Sequence, residues 1–365
     1  MASLKDIVCT KVMGAHMLRR LSWLSMSLLL SLLASCGGAP EQLGTDNSAR
    51  GRLQQVLNQK KVRCGISGEL PGFSFVDEQG NYSGLDVDIC RAIAAALFDD
   101  PDAVDYRPLN AKERFAAVQT GEVDVLSRNT TWTLDRDSSV RMAFAPVVFY
   151  DGQGVMVKAN SGIKTLKDFQ NRTVCTQTGT TNEKNLADQM RKLKVAYKPV
   201  VYEDINSAYA AYVEGRCDGV TSDRSQLVSR RTALPEPDSH RILAEVMSKE
   251  PLAPAVADGD TQWADVVRWV VNATIEAEEL GINQGNLSSF TGSDDPVVQR
   301  FLGTEDELGK SLGLSPDFAA RVVKHVGNYG EIYDRNLGPK TKLNLPRGQN
   351  QLWNQGGLLY SPPFR

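Results

Sequence analysis

Two short polar segments carry the residues of this chain best able to do chemistry: residues 127–131 (SRNTT) and 221–223 (TSD). Each follows a brief apolar run and offers hydroxyl, amide, guanidinium or carboxylate groups, with no nucleophile set beside a base. Such groups can hold a small polar ligand by hydrogen bonds and charge. The three histidines, His16, His240 and His325, are far apart, and no cysteine has metal-ligand spacing, so neither a metal nor a cofactor is expected. The acids placed near these segments are Glu69, Glu183 and Asp223, the minimum a cleft enzyme would need for proton transfer.

The elements that must position these segments are written twice. FAAVQTGEVDVL (115–126) and YAAYVEGRCDGV (209–220) share one pattern, 94 residues apart. An aromatic and two alanines form the buried stripe of a short helix. Gly121 or Gly215 ends it in the left-handed conformation, and Asp124 or Asp218 leads into an apolar strand. The polar segments then stand at the carboxyl ends of two strands, where open α/β sheets bind ligands. Two copies imply two similar lobes facing one crevice.

The remaining pattern fits that frame. GLDVDICRAIAAALF (84–98) places Leu85, Ile89, Ile93 and Leu97 on one stripe, with Asp86 and Asp88 in a first turn where the helix dipole favours acids. MAFAPVVFYDGQGVMVK (142–158) and SKEPLAPAV (248–256) read as extended crossings between lobes. TQWADVVRWVVNATIEAEELGI (261–282) is a long helix that must pack back on the first lobe, and the aromatic tail is expected on that lobe or on the hinge. The expected organisation is a leader over 1–36, a flexible tether over 37–52, lobe 1 over 53–150, lobe 2 over 151–249, and a return to lobe 1 with a C-terminal extension over 250–365.

Composition narrows the setting. The chain has 365 residues, with 41 Lys and Arg against 44 Asp and Glu, and no Lys/Arg run longer than two outside the leader. That balance argues against nucleic acid as a partner. Arg19 and Arg20 precede an apolar run over 21–33 that is too short to span a bilayer but suits export. Leu33, Ala34, Ser35 and Cys36 match a bacterial lipobox, so Cys36 is the expected site of lipidation and of membrane contact. Four other cysteines remain. An exported compartment favours disulfides, and although four cysteines allow three connectivities, pairing within lobes (Cys64 with Cys90, Cys175 with Cys217) leaves closure unopposed.

At residues 84–97 the pattern resembles the signature of the bacterial extracellular solute-binding proteins of family 3, the amino-acid receptors of ABC importers. CGIS, LPGF, RNTTWT, VCTQTGTT, SKEPL, AEELGI and GGLLYSPPFR, in that order, are similar to the branch that binds L-amino acids in general. The resemblance implies an α/β fold of the type II periplasmic-binding-protein class: two lobes, each a doubly wound sheet, hinged at two crossing strands. It implies a periplasmic, monomeric receptor for a broad set of L-amino acids that delivers them to an ABC permease in the inner membrane. By the same resemblance Arg136, with Asn129 and Thr131 alongside, clamps the ligand's carboxylate, because guanidinium matches a carboxylate fork. Thr180 and Thr181 add donors from lobe 2, Asp223 takes the ammonium, and Phe73 lines the pocket. Leu70 stands where receptors for basic amino acids often carry a stacking aromatic, which favours breadth. The alternatives are a dehydratase of the same fold and a sensory ligand-binding lipoprotein.

Overall fold

The computed structural model describes residues 51–365. The leader, Cys36 and most of the tether lie outside the described residues.

Lobe 1 begins with helix α1 (Arg52–Gln59) and strand β1 (Val62–Ile66). A small antiparallel sheet follows, β2 (Glu69–Leu70), β3 (Ser74–Val76) and β4 (Tyr82–Ser83), and leads into α2 (Leu85–Phe98). Gly84 makes that join possible: its φ is +127°, and a Cβ there would lie 2.1 Å from the Phe73 carbonyl oxygen. Next come β5 (Val104–Pro108), α3 (Arg114–Gln119), β6 (Val125–Leu126), α4 (Leu134–Ser138) and β7 (Met142–Phe144).

The first crossing is β8 (Phe149–Lys158), which runs straight into lobe 2. That lobe holds β9 (Thr173–Gln177), α5 (Thr181–Leu193), β10 (Lys198–Tyr202), α6 (Ile205–Val213), β11 (Gly219–Asp223), α7 (Arg224–Thr232) and β12 (His240–Ile242). The return is β13 (Lys249–Leu252), antiparallel to the start of β8 with Tyr150 opposite Pro251, and then β14 (Ala255–Ala257) in the lobe 1 sheet. The hinge is therefore a two-stranded ribbon.

The two sheets share one plan. Their orders are β5-β1-β6-β14-β7 and β10-β9-β11-β8-β12. Each has three parallel strands, then the crossing strand inserted antiparallel, then an antiparallel edge. The repeated residues explain the match. Gly121 and Gly215 both have positive φ, +75° and +80°. Asp124 accepts the Arg63 N–H at 2.8 Å and Asp218 accepts the Thr173 N–H at 2.8 Å, so each aspartate ties its own strand to the neighbouring parallel strand. Both are structural anchors at the strand ends away from the crevice.

Five further helices complete lobe 1: α8 (Thr261–Glu279), α9 (Pro296–Leu302), α10 (Leu308–Ser311), α11 (Phe318–His325) and α12 (Tyr329–Asn336). Val266, Val267, Val270, Val271 and Ile275 of α8 are buried in the main core with α2 and α11, and each such side chain contributes about 1.5–3 kcal/mol. The tail then reaches the hinge: the Tyr329 hydroxyl donates to the Val148 carbonyl at 2.6 Å, and the Asn350 amide bonds both the N–H and the carbonyl of Tyr150. Asp88, expected to serve the helix dipole, also accepts from Arg335 (2.8 Å) and Asn336 (2.6 Å) of α12.

Disulfides join Cys64 of β1 to Cys90 of α2 and Cys175 of β9 to Cys217. Both lie within a lobe. Cys217 sits just before β11. With sequence separations of 26 and 42 residues, each bridge restricts the unfolded chain by about 3–4 kcal/mol. Among the described residues no helix is long and apolar enough to cross a membrane.

Candidate ligand-binding crevice

The lobe 1 wall is built from the tip of β6. Ser127 extends the pairing with β1 through its N–H to Gly65 (2.9 Å). At Asn129 the backbone turns (φ +31°) and its N–H donates to the buried Asp86 carboxylate at 3.0 Å. The chain then lies along the return crossing: Ala253 N–H donates to the Thr130 carbonyl and Trp132 N–H to the Pro251 carbonyl. Thr133 caps α4 by accepting the Arg136 N–H, so the cap fixes Arg136 where its Nη1 donates to the Thr131 carbonyl at 2.7 Å.

Three guanidiniums converge here. Those of Arg136 and Arg114 lie 5.1 and 4.8 Å from the centre of the Phe115 ring, which steadies both by cation–π attraction. Arg114 donates from Nη1 to the Thr130 hydroxyl (3.3 Å) while its Nε has no partner. Arg128 is anchored through Nε on the Leu109 carbonyl at 2.7 Å. All three are buried, with exposures of 3% for Arg114, 7% for Arg128 and 6% for Arg136. Burial, and then repulsion from Arg136 and Arg128, holds the Arg114 pKa well below its usual range, while burial brings Arg128 down to about 10.

The opposite wall is acidic. Asp223 ends β11, 4% exposed, and accepts from the Asn182 amide at 2.9 Å. Thr180 caps α5 and donates to the Gln177 carbonyl at 2.6 Å. Glu250, on the return crossing and 1% exposed, accepts from Thr131 of lobe 1 (2.6 Å), from Thr181 (2.9 Å) and Asn185 (2.8 Å) of lobe 2, and from Ser248. One carboxylate thus joins both lobes. Asp151 on β8 accepts the N–H and hydroxyl of Ser225 at the start of α7. Burial, then Asp151 and Glu250, push the Asp223 carboxyl well above the ordinary carboxylate range.

Between these walls lies a cavity of about 20 Å³, space for a water-sized group, lined by Arg114, Arg128, Asn129 and Thr131 from one side and Thr180, Thr181, Asn182 and Asp223 from the other. A two-lobed frame, a hinge of two strands and a polar crevice at the strand tips define the architecture. Residues 62–283 match the family Bacterial extracellular solute-binding proteins, family 3. The chain belongs to this family.

The general L-amino acid-binding periplasmic protein AapJ of Rhizobium johnstonii is 48% identical over 92% of this chain and 98% of its own length. The glutamate/glutamine/aspartate/asparagine-binding protein BztA of Rhodobacter capsulatus is 44% identical over 86% of this chain and 93% of its own. Among solved structures, an ABC transporter periplasmic binding protein from Brucella ovis with glutathione bound is 48% identical, covers 87% of this chain and 100% of its own, and superimposes with a TM-score of 0.84. These relatives are named as binding proteins.

In this solute-binding protein Asn129, Thr131, Thr180, Thr181 and Asp223 meet at the cavity, whereas Arg136 does not line it and reaches it only through its bond to the Thr131 carbonyl. The neighbouring acids of Arg136 are engaged elsewhere: Asp135 pairs with Lys184 at 3.5 Å and Asp137 accepts from the Trp132 indole. Leu70 and Phe73 are not brought to the cavity. Both are 1% exposed in the lobe 1 core, where Phe73 packs edge-on against Phe149, so breadth cannot be argued from Leu70. Glu69 is exposed on β2 and Glu183 lies in the first turn of α5; neither lines the cavity. Sequence reading placed Arg128 in the polar segment without a role and passed over Arg114, Asn182 and Glu250. The signal for Arg114 was its place one residue before the repeat's aromatic, on a helix aimed at the crevice.

Proposed function

We propose that this chain is the extracytoplasmic substrate-binding component of an ABC amino-acid importer, a receptor with no catalytic step of its own. The ligand's carboxylate faces the Arg136 and Thr131 side of lobe 1 and its ammonium faces Asp223 of lobe 2. The observation that carries this reading is the separation of charge: guanidiniums without ion pairs on one wall, a carboxyl with a raised pKa on the other. A zwitterion spanning the crevice relieves both. Its carboxylate stabilises the crowded cations, and its ammonium restores ionisation of Asp223.

Walls this buried around so small a space require the lobes to part before a solute enters, and the β8–β13 ribbon is where the chain can bend. Ligand contacts made to both lobes favour the closed arrangement by their differential affinity. The names of the relatives support amino acids as ligands and more than one side chain, and the name of the Brucella ovis protein, an ABC transporter periplasmic binding protein, supports a membrane transporter as partner. Calorimetry against the twenty L-amino acids, with the same samples assayed for conversion, tests the reading. Binding heat with the ligand recovered unchanged is expected; turnover, or no heat with any of them, contradicts it. Attachment of lipid at Cys36 is a separate matter for mass spectrometry of the protein from its native membrane.

A further inference from the structure

We propose that Arg114 and Arg128 form a second anion subsite within the crevice, which receives a carboxylate on the ligand's side chain, so that amino acids with two carboxylates and one ammonium are preferred. The proposal rests on the amino-acid reading above and adds the side-chain class.

The acids around the crevice differ in how fully they are already engaged. Glu250 accepts from four side chains, and Asp151 accepts from Ser225 and from the Gly152 N–H. Asp223, with the Asn182 amide as its partner, is the carboxylate that lines the cavity. Lobe 1 presents three buried guanidiniums, and among the described residues no carboxylate pairs with any of them. One α-carboxylate can accept a fork of two hydrogen bonds from one guanidinium. If Arg136 supplies that fork, Arg114 and Arg128 remain buried cations with no ion pair: Asp223 acts on Arg114, and Asp86, Glu69 and Glu113 on Arg128, only from beyond contact distance, so a carboxylate in direct contact would relieve them.

The local geometry suits a second anion. Arg136 gives only its Nη1 N–H to the Thr131 carbonyl, and Arg114 makes one long bond and keeps an unpartnered Nε more than nine-tenths buried. Arg128 is held through Nε alone, which leaves its Nη groups to the cavity it lines. The two share Thr130: its hydroxyl accepts from Arg114 and donates to the Arg128 carbonyl at 2.9 Å. Asp86, the acid nearest Arg128 in the same lobe, is turned to the Asn129 N–H. Gln177 and Gln226 line the cavity from lobe 2; Gln177 Nε2 donates to the Glu203 carbonyl and Gln226 Oε1 accepts from the Ser222 hydroxyl, which leaves the Gln226 amide nitrogen to donate to a carboxylate or a carboxamide oxygen.

Calorimetry with L-glutamate and L-glutamine, which match in shape and differ in side-chain charge, decides the matter. The wild-type protein is expected to bind glutamate at least about tenfold more tightly than glutamine at neutral pH, and that ratio should fall by about tenfold or more in Arg114→Gln and in Arg128→Gln. Equal affinities in the wild type, or a ratio unchanged in both variants, overturns the proposal while leaving the receptor reading intact. Failure of the wild type to bind either amino acid overturns the receptor reading and this proposal together. Should a variant not fold by its melting curve, the wild-type ratio decides alone, and Arg114→Lys, which keeps the charge without the fork, should show an intermediate ratio.

Discussion

The tips of β6 and β11 occupy equivalent places in the two lobes and carry opposite chemistry. With the two copies superposed at their 94-residue offset, Arg114 corresponds to Ala208, Arg128 to Ser222 and Asn129 to Asp223. The frame around them is conserved in form: a short helix, a glycine with positive φ, and an aspartate bonded to the backbone of the adjacent strand. Three substitutions on one scaffold therefore make one wall cationic and the other acidic. The lesson is that duplication supplies the crevice, and a few positions at the strand tips set the direction in which a zwitterion lies.

Removing either end of that polarity should have the largest effect. Asp223→Ala and Arg136→Ala are each expected to weaken amino-acid binding by at least about 30-fold, since stripping one partner from a desolvated charge pair costs about 2–5 kcal/mol. Melting of the unliganded Asp223 variant should be unchanged or higher, because a buried carboxyl that resists ionisation is removed. Near-wild-type affinity in either variant would show that the corresponding end of the ligand lies elsewhere.

Glu250, on the return crossing, sharpens the comparison by accepting from Thr131 of one lobe and Thr181 of the other. Replacing it with Gln turns a charged acceptor of four donors into a neutral one, and loss of charge-assisted bonds worth about 1.5–3 kcal/mol should weaken binding by about tenfold or more. Small-angle scattering should show the liganded variant less compact than the wild type. Identical scattering and affinity would mean that the link between Thr131 and Thr181 contributes nothing to closure.

A smaller effect concerns stability. Burial raises the Asp86 pKa from 3.8 to about 7. Between those values the folded protein holds more protons than the unfolded chain, so this group's contribution makes stability fall as pH rises from about 4 to about 7. Asp86→Asn should flatten that part of the melting-temperature profile while keeping an acceptor for the Asn129 N–H. An unaltered slope would mean that Asp86 is ionised across the window.

The frame was legible in the sequence because it rests on periodicity and on positive-φ turns that glycine adopts at least cost. The repeat, the stripes of α2 and α8 and the two crossings could all be read from residue spacing. Side-chain direction could not. Arg114 is one more polar residue on a short helix until Phe115 and Thr130 orient it, and Glu250 is one acid on a crossing strand until both lobes converge on it. Leu70 and Phe73 mislead for the converse reason: the small β2–β3–β4 sheet folds them inward, and no local pattern separates a pocket wall from a core.

The central claim is that the two walls hold opposite ends of one ligand. Calorimetry of the wild-type protein with L-glutamine, its N-acetyl derivative and its α-amide tests this most directly, since each derivative removes one charge and leaves the side chain alone. The account predicts that both derivatives bind at least about 30-fold more weakly than the free amino acid. Binding of either derivative within about threefold of glutamine would contradict it.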